Sequence, residues 1–118
     1  MTIFFQIKVY DKIENFVVAL KSPAKILIVV TAGSPVDKVI EDLKPLLSDG
    51  DILIDGGNSN FKDTNRRIED LAKINISLMG LGISGGEEGA LNGASLMPGG
   101  SEGAYESVSH LLGPLSAK

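Results

Sequence analysis

An α/β fold built on a parallel sheet follows from three features of this sequence. The runs Lys25 to Thr31, Asp51 to Asp55 and Ile76 to Leu81 are apolar, of strand length and rich in branched side chains, as expected of strands covered on both faces. Between them lie segments whose apolar residues recur at helical spacing. Small polar turns separate the two kinds of segment. Strictly alternating strands and helices imply right-handed crossovers and parallel neighbours.

In chain order, Thr2 to Tyr10 is strand-like in composition. Asp11 with Glu14 resembles a capping box, and Ile13, Phe16, Val17 and Leu20 then predict a helix to about Lys21, ended by Ser22-Pro23. After the first apolar strand, Ala32-Gly33 turns the chain. Ser34 as N-cap, Pro35 at the first helical position and Asp37 in the first turn open a second helix. Its stripe is Val36, Val39, Ile40, Leu43, Leu46 and Leu47, and Pro45 should shorten the last turn. Ser48-Asp49-Gly50 leads into the second strand, which ends in Gly56-Gly57-Asn58-Ser59. A third helix, about Asn60 to Ile74, should bury Phe61, Thr64, Ile68 and Leu71 and expose Arg66, Arg67, Glu69 and Lys73. Ala94 to Met97 is expected as a further short strand, and Ser101 as the cap of a last helix carrying Ala104, Val108, Leu111 and Leu112.

At 118 residues the chain is at most one domain, and 43% apolar residues is ordinary for a globular one. No run approaches the roughly 18 apolar residues of a membrane helix, and Met1 to Lys8 lacks the pattern of a signal peptide. The absence of cysteine excludes disulfides and thiolate metal sites and fits a cytoplasmic location. A net charge of −4 with scattered basic residues argues against nucleic acid as a partner.

Ligands of an open parallel sheet bind outside the carboxyl ends of its strands. Three loops leave such ends: Thr31-Ala32-Gly33, Gly56 to Ser59, and Gly82 to Gly86. Each is small and polar, and their convergence on one rim points to a site. The segment Gly80 to Gly100 is the most glycine-rich of the chain, which allows close approach of a ligand to the backbone. Gly80, Gly82 and Gly85 formally match G-x-G-x-x-G, but a dinucleotide fingerprint opens a long helix and is followed by an acidic residue about 20 positions on; here more glycines follow. Glu87 and Glu88 are adjacent and point apart on a helix, so they are read as helix-dipole partners. His110 lies off the apolar stripe and is read as a surface residue.

Four motifs in order, Asp55-Gly56-Gly57-Asn58-Ser59, Asp63-Thr64 with Arg66-Arg67, Ser84-Gly85-Gly86-Glu87-Glu88-Gly89-Ala90 and Ser95-Leu96-Met97-Pro98-Gly99-Gly100, closely resemble those of the decarboxylating 6-phosphogluconate dehydrogenases. The resemblance is close from Pro23 to Lys118 and general in shape over Lys8 to Ser22. It implies a Rossmann-like parallel sheet with flanking helices, forming part of an NADP-binding domain. It also implies NADP-dependent oxidation of 6-phosphogluconate at C3, with loss of CO₂ to give ribulose 5-phosphate in the pentose phosphate pathway. By the same resemblance Val30, Thr31, Ala32 and Asn58 contact the cofactor, while Asn58, Ser84, Gly85 and Gly86 contact the substrate. One departure is Thr31, where the family commonly carries Lys.

The family's dinucleotide fingerprint and first βαβ unit lie upstream of the aligned motifs, and its catalytic Lys and Glu and its dimerisation domain lie downstream of Lys118. The expectation is therefore an incomplete cofactor domain, inactive alone, from a homodimeric parent, with an apolar sheet edge prone to self-association. Two other readings remain open on the residues: a non-catalytic anion-binding module, and a related β-hydroxyacid dehydrogenase acting on small hydroxy acids.

Overall fold

The computed structural model describes residues 8–84 and 95–99. The elements are α1 (Ile13–Ala19), β1 (Lys25–Ile28), α2 (Ser34–Leu43) continued by a 3₁₀ turn (Lys44–Leu46), β2 (Ile52–Asp55), α3 (Phe61–Ala72), β3 (Ser77–Ser84) and β4 (Ser95–Gly99). The sheet order is β1-β2-β3-β4. β1, β2 and β3 are parallel, with Ile26 beside Leu53 and Leu53 beside Leu78. This is the Rossmann-like α/β arrangement expected. β4 pairs antiparallel with β3, from Gly80 opposite Gly99 to Ser84 opposite Ser95, an addition to the all-parallel expectation. Pro98 sits in β4 where a strand tolerates it, since β4 is an edge among the described residues.

The register divides the sheet into two faces. Ile26, Ile28, Leu53 and Leu78 form a buried cluster with Val17 of α1, Val36, Ile40 and Leu43 of α2, and Leu71 of α3. Each such side chain stabilises the fold by about 1.5–3 kcal/mol relative to exposure. On the other face Ile54, Met79 and Leu81 are buried, but Leu27 and Val29 are 45% and 65% exposed. The expectation that Lys25 to Thr31 is covered on both faces is thus corrected. The strand ends at Ile28, and among the described residues β1 is a sheet edge with one open face.

Several boundaries differ from the sequence reading for local reasons. Lys8 to Tyr10 is not strand, and residues 2–7 lie outside the described part. α1 starts at Ile13 behind Lys12, without a side-chain cap, and ends at Ala19 rather than Lys21. The Asp11 capping box does not form because the helix begins one residue too late. In α2 the N-cap is Gly33, at φ +100°, and Ser34 is already helical. Pro45 acts as expected: the last turn tightens to 3₁₀ around it. Asn60 caps α3, its side-chain oxygen accepting from the Lys62 N–H at 2.8 Å.

Two aspartates bracket β2. At its amino end the buried Asp51 accepts from the Ala24 N–H and the Ser48 N–H, both at 2.8 Å, tying the start of β1 to the turn before β2. At its carboxyl end Asp55 is also buried and organises the rim described next.

Candidate functional site

Because β1 and β2 are parallel and end level, Ile28 opposite Asp55, their following loops leave the sheet side by side. The Gly56 N–H donates to the Ile28 carbonyl at 2.8 Å, extending the ladder one step past the strands. The loops then touch. A Cβ on Gly57 would stand 2.4 Å from the Val30 carbonyl oxygen, so only glycine fits there. Asn58 follows at φ +58°, a left-handed conformation that asparagine tolerates better than most residues. Thr31, Ala32 and Asn58 are exposed and Val30 is half-buried. The structure therefore brings the loop of Val30, Thr31 and Ala32 against the loop of Asn58.

Beneath this rim lies a charged network that holds both loops. Asp55 Oδ1 accepts from the Gly57 N–H at 2.9 Å, and Asp55 Oδ2 accepts from the Ser59 hydroxyl. Arg67 Nη1 stands 3.5 Å from the same Oδ2. Arg67 Nε donates to Asp37 Oδ1 at 2.8 Å and Nη2 donates to the Gly33 carbonyl at 3.1 Å. Arg66 adds a longer, exposed contact to Asp37 at 3.2 Å. Hydrogen bonding from Arg67, reinforced by Arg66 and the charges of both, holds the Asp37 carboxyl below its ordinary value near 3.8 despite an opposing desolvation. The same pairing raises Arg67 further.

Arg67 is the member of this network that the sequence reading places on the wrong side of the helix. It was expected to be exposed and is 2% exposed, whereas Phe61, expected inside, is 67% exposed. The signal was available. Arg67 lies three residues after Thr64 and four before Leu71, on the stripe that faces the sheet, and a carboxylate at the end of the apolar strand β2 needs a buried partner. Phe61 is the first residue of α3, at the rim, beyond the cluster into which Leu71 is packed.

The third loop is reshaped. β3 continues through Gly82 to Ser84 instead of turning at Gly82. Four residues past Gly80, the last partner of β2, Ser84 lies roughly 13 Å further along the strand and pairs with Ser95. The G-x-G-x-x-G match is accordingly not a strand-to-helix turn: Gly80 and Gly82 sit inside a strand. Gly85, Gly86, Glu87, Glu88, Ser101 and His110 lie outside the described residues.

The chain as a whole has matches among known proteins. The family model for the NAD binding domain of 6-phosphogluconate dehydrogenase matches residues 3–118. The chain belongs to that family. A decarboxylating 6-phosphogluconate dehydrogenase of Synechococcus elongatus is 56% identical over 90% of the chain, which covers 22% of that relative. An NAD(+)-dependent, decarboxylating 6-phosphogluconate dehydrogenase of Bacillus subtilis is 50% identical over 92% of the chain and 23% of the relative. Among solved structures, the 6-phosphogluconate dehydrogenase of Plasmodium falciparum, described in apo form and with its cofactor NADP+ and its substrate 6-phosphogluconate, superposes with a TM-score of 0.87. That match is at 38% identity and covers 92% of this chain and 23% of the other. A 3-hydroxyisobutyrate dehydrogenase of Salmonella typhimurium, at 21% identity and a TM-score of 0.72, shares the fold. The chain thus spans under a quarter of the length of the 6-phosphogluconate dehydrogenases described above. No helix among its described residues is long and apolar enough to cross a membrane.

Proposed function

We propose that this chain supplies the dinucleotide-binding rim of a decarboxylating 6-phosphogluconate dehydrogenase that uses NADP. The observation that supports the reading is the close approach of the Val30–Gly33 and Gly56–Ser59 loops at Gly57, the two loops that the resemblance assigns to the cofactor side. The residues present are compatible with the cofactor: Thr31, Ala32 and Asn58 offer small uncharged side chains at the exposed rim, and the buried charges of Arg67 and Asp55 face each other beneath it.

In this reading Val30, Thr31 and Ala32 lie along the cofactor, which when bound supplies the hydride acceptor for oxidation at C3 of the substrate. Asn58 contacts cofactor and substrate together, so it orients the one to the other. Ser84, Gly85 and Gly86 contribute to holding 6-phosphogluconate. The oxidised product, a β-keto acid, loses its carboxyl group as CO₂ to leave ribulose 5-phosphate. NADP is favoured by the Plasmodium relative's cofactor, although the Bacillus relative is described as NAD(+)-dependent.

The test is steady-state turnover by the protein carrying this sequence, with 6-phosphogluconate or a small non-phosphorylated hydroxy acid as substrate, and NADP+ or NAD+ as oxidant. The proposal expects reduced NADP and ribulose 5-phosphate in equal amounts. Turnover only of the small hydroxy acid would replace it with the related dehydrogenase activity, and tight 6-phosphogluconate binding without turnover would favour a non-catalytic module.

A further inference from the structure

We propose that Arg67 is a positioning residue for the rim. Its guanidinium sets the spacing between the loop of Val30 to Ala32 and the loop of Asn58, and through that spacing the affinity for a nicotinamide dinucleotide. The inference rests on the reading of the rim as the dinucleotide site.

Three partners on three successive parts of the chain converge on this one buried group: the Gly33 carbonyl that closes the first loop and Asp37 in the first turn of α2, which accept hydrogen bonds, and Asp55 at the end of β2, which faces it as an ion pair. Asp55 spends its two oxygens on Gly57 and Ser59, the residues on either side of Asn58. Arg67 Nη1 makes no hydrogen bond and meets Asp55 as an ion pair at 3.5 Å. Asp55 therefore grips the second loop while Arg67 neutralises it and grips the first. A planar fork with five N–H donors can hold such dispersed partners, whereas a lysine presents a single nitrogen. Arg67 itself is nearly inaccessible, so its influence on a ligand passes through the loops it spaces.

The experiment titrates NADP+ into the protein carrying this sequence as wild type, Arg67→Lys, Asn58→Ala and the double variant, and follows amide hydrogen exchange in each. Arg67→Lys is expected to weaken NADP+ roughly tenfold and to speed exchange at the Gly57 N–H by a similar factor, with Leu53 and Leu78 unchanged. In the Asn58→Ala background its effect on affinity is expected to shrink to within about twofold, since the two residues act through one loop. Unchanged affinity and unchanged Gly57 exchange overturn the proposal. So does an equal loss in both backgrounds, which a general structural role would produce. If Arg67→Lys also loosens Leu53 and Leu78, Asp37→Ala carries the same test, because it removes one partner of the guanidinium and leaves Asp55 paired. Should the wild type bind no NADP+, the site reading fails, and exchange at Gly57 alone then decides whether Arg67 spaces the loops: faster supports it, unchanged overturns it.

Discussion

Gly57→Ala puts the contact between the two rim loops to a direct test. The added methyl carbon would stand 2.4 Å from the Val30 carbonyl oxygen and 3.3 Å from Asp55 Oδ1, whereas ordinary contacts begin at 3.4 Å. The first overlap is therefore about an ångström deep, and its partner is a main-chain atom that no rotamer change can move. Relief requires the loops to part, which strains the Gly56-to-Ile28 bond at 2.8 Å and the Gly57-to-Asp55 bond at 2.9 Å. Overpacking costs about 1–3 kcal/mol, and weakening a hydrogen bond to a buried charge adds about 1 kcal/mol, so a loss of roughly 2–4 kcal/mol is expected. Urea unfolding followed by circular dichroism should show this as a lower midpoint with an unchanged slope. A change below about 0.5 kcal/mol, the range of an inconsequential surface substitution, would refute the claim that the loops touch.

Other consequences follow from the same network and from the edges of the sheet. Asp37 has a folded-state value below its ordinary one, so its pairing stabilises the fold above about pH 3.8 and the benefit is lost as pH falls through the lower folded value. The stability difference between wild type and Asp37→Asn, modest because Asp37 is partly exposed, should therefore shrink in unfolding curves taken below that pH; a constant difference would contradict it. Asn60→Ala removes the cap of α3 and should cost about 1 kcal/mol, read by the same unfolding assay. Val29→Lys charges the open face beside β1 and should leave stability within about 0.5 kcal/mol while lowering any concentration-dependent association seen by sedimentation velocity.

Local periodicity carried most of the fold. The stripes of α2 and α3 and the runs behind β2 and β3 were legible because a buried face imposes its period on the sequence wherever it is continuous. What was not legible depended on neighbours. Leu27 and Val29 look like core residues in sequence, and only the place of β1 at a sheet edge exposes them. Gly82 to Ser84 reads as a loop by composition, yet β4 supplies the pairing that extends β3 through it. Arg67 was assigned to solvent by its charge, although its position on the helix pointed inward and Asp55 required a partner. The meeting of the Val30 and Gly57 loops was legible in two small polar turns at neighbouring strand ends, whereas the third loop expected beside them is strand as far as Ser84, and the ion network that fixes the two was invisible without the crossing of α2, α3 and β2.

The most direct measurement is a map of backbone amide shifts on adding NADP+ and 6-phosphogluconate to the protein carrying this sequence. If the rim is the ligand site, the largest shifts fall on Thr31, Ala32, Gly57 and Asn58. Shifts gathered instead at the opposite end of the sheet, in the surface groove lined by Gly50, Asn75 and Ser77, or no shifts at all, would contradict it.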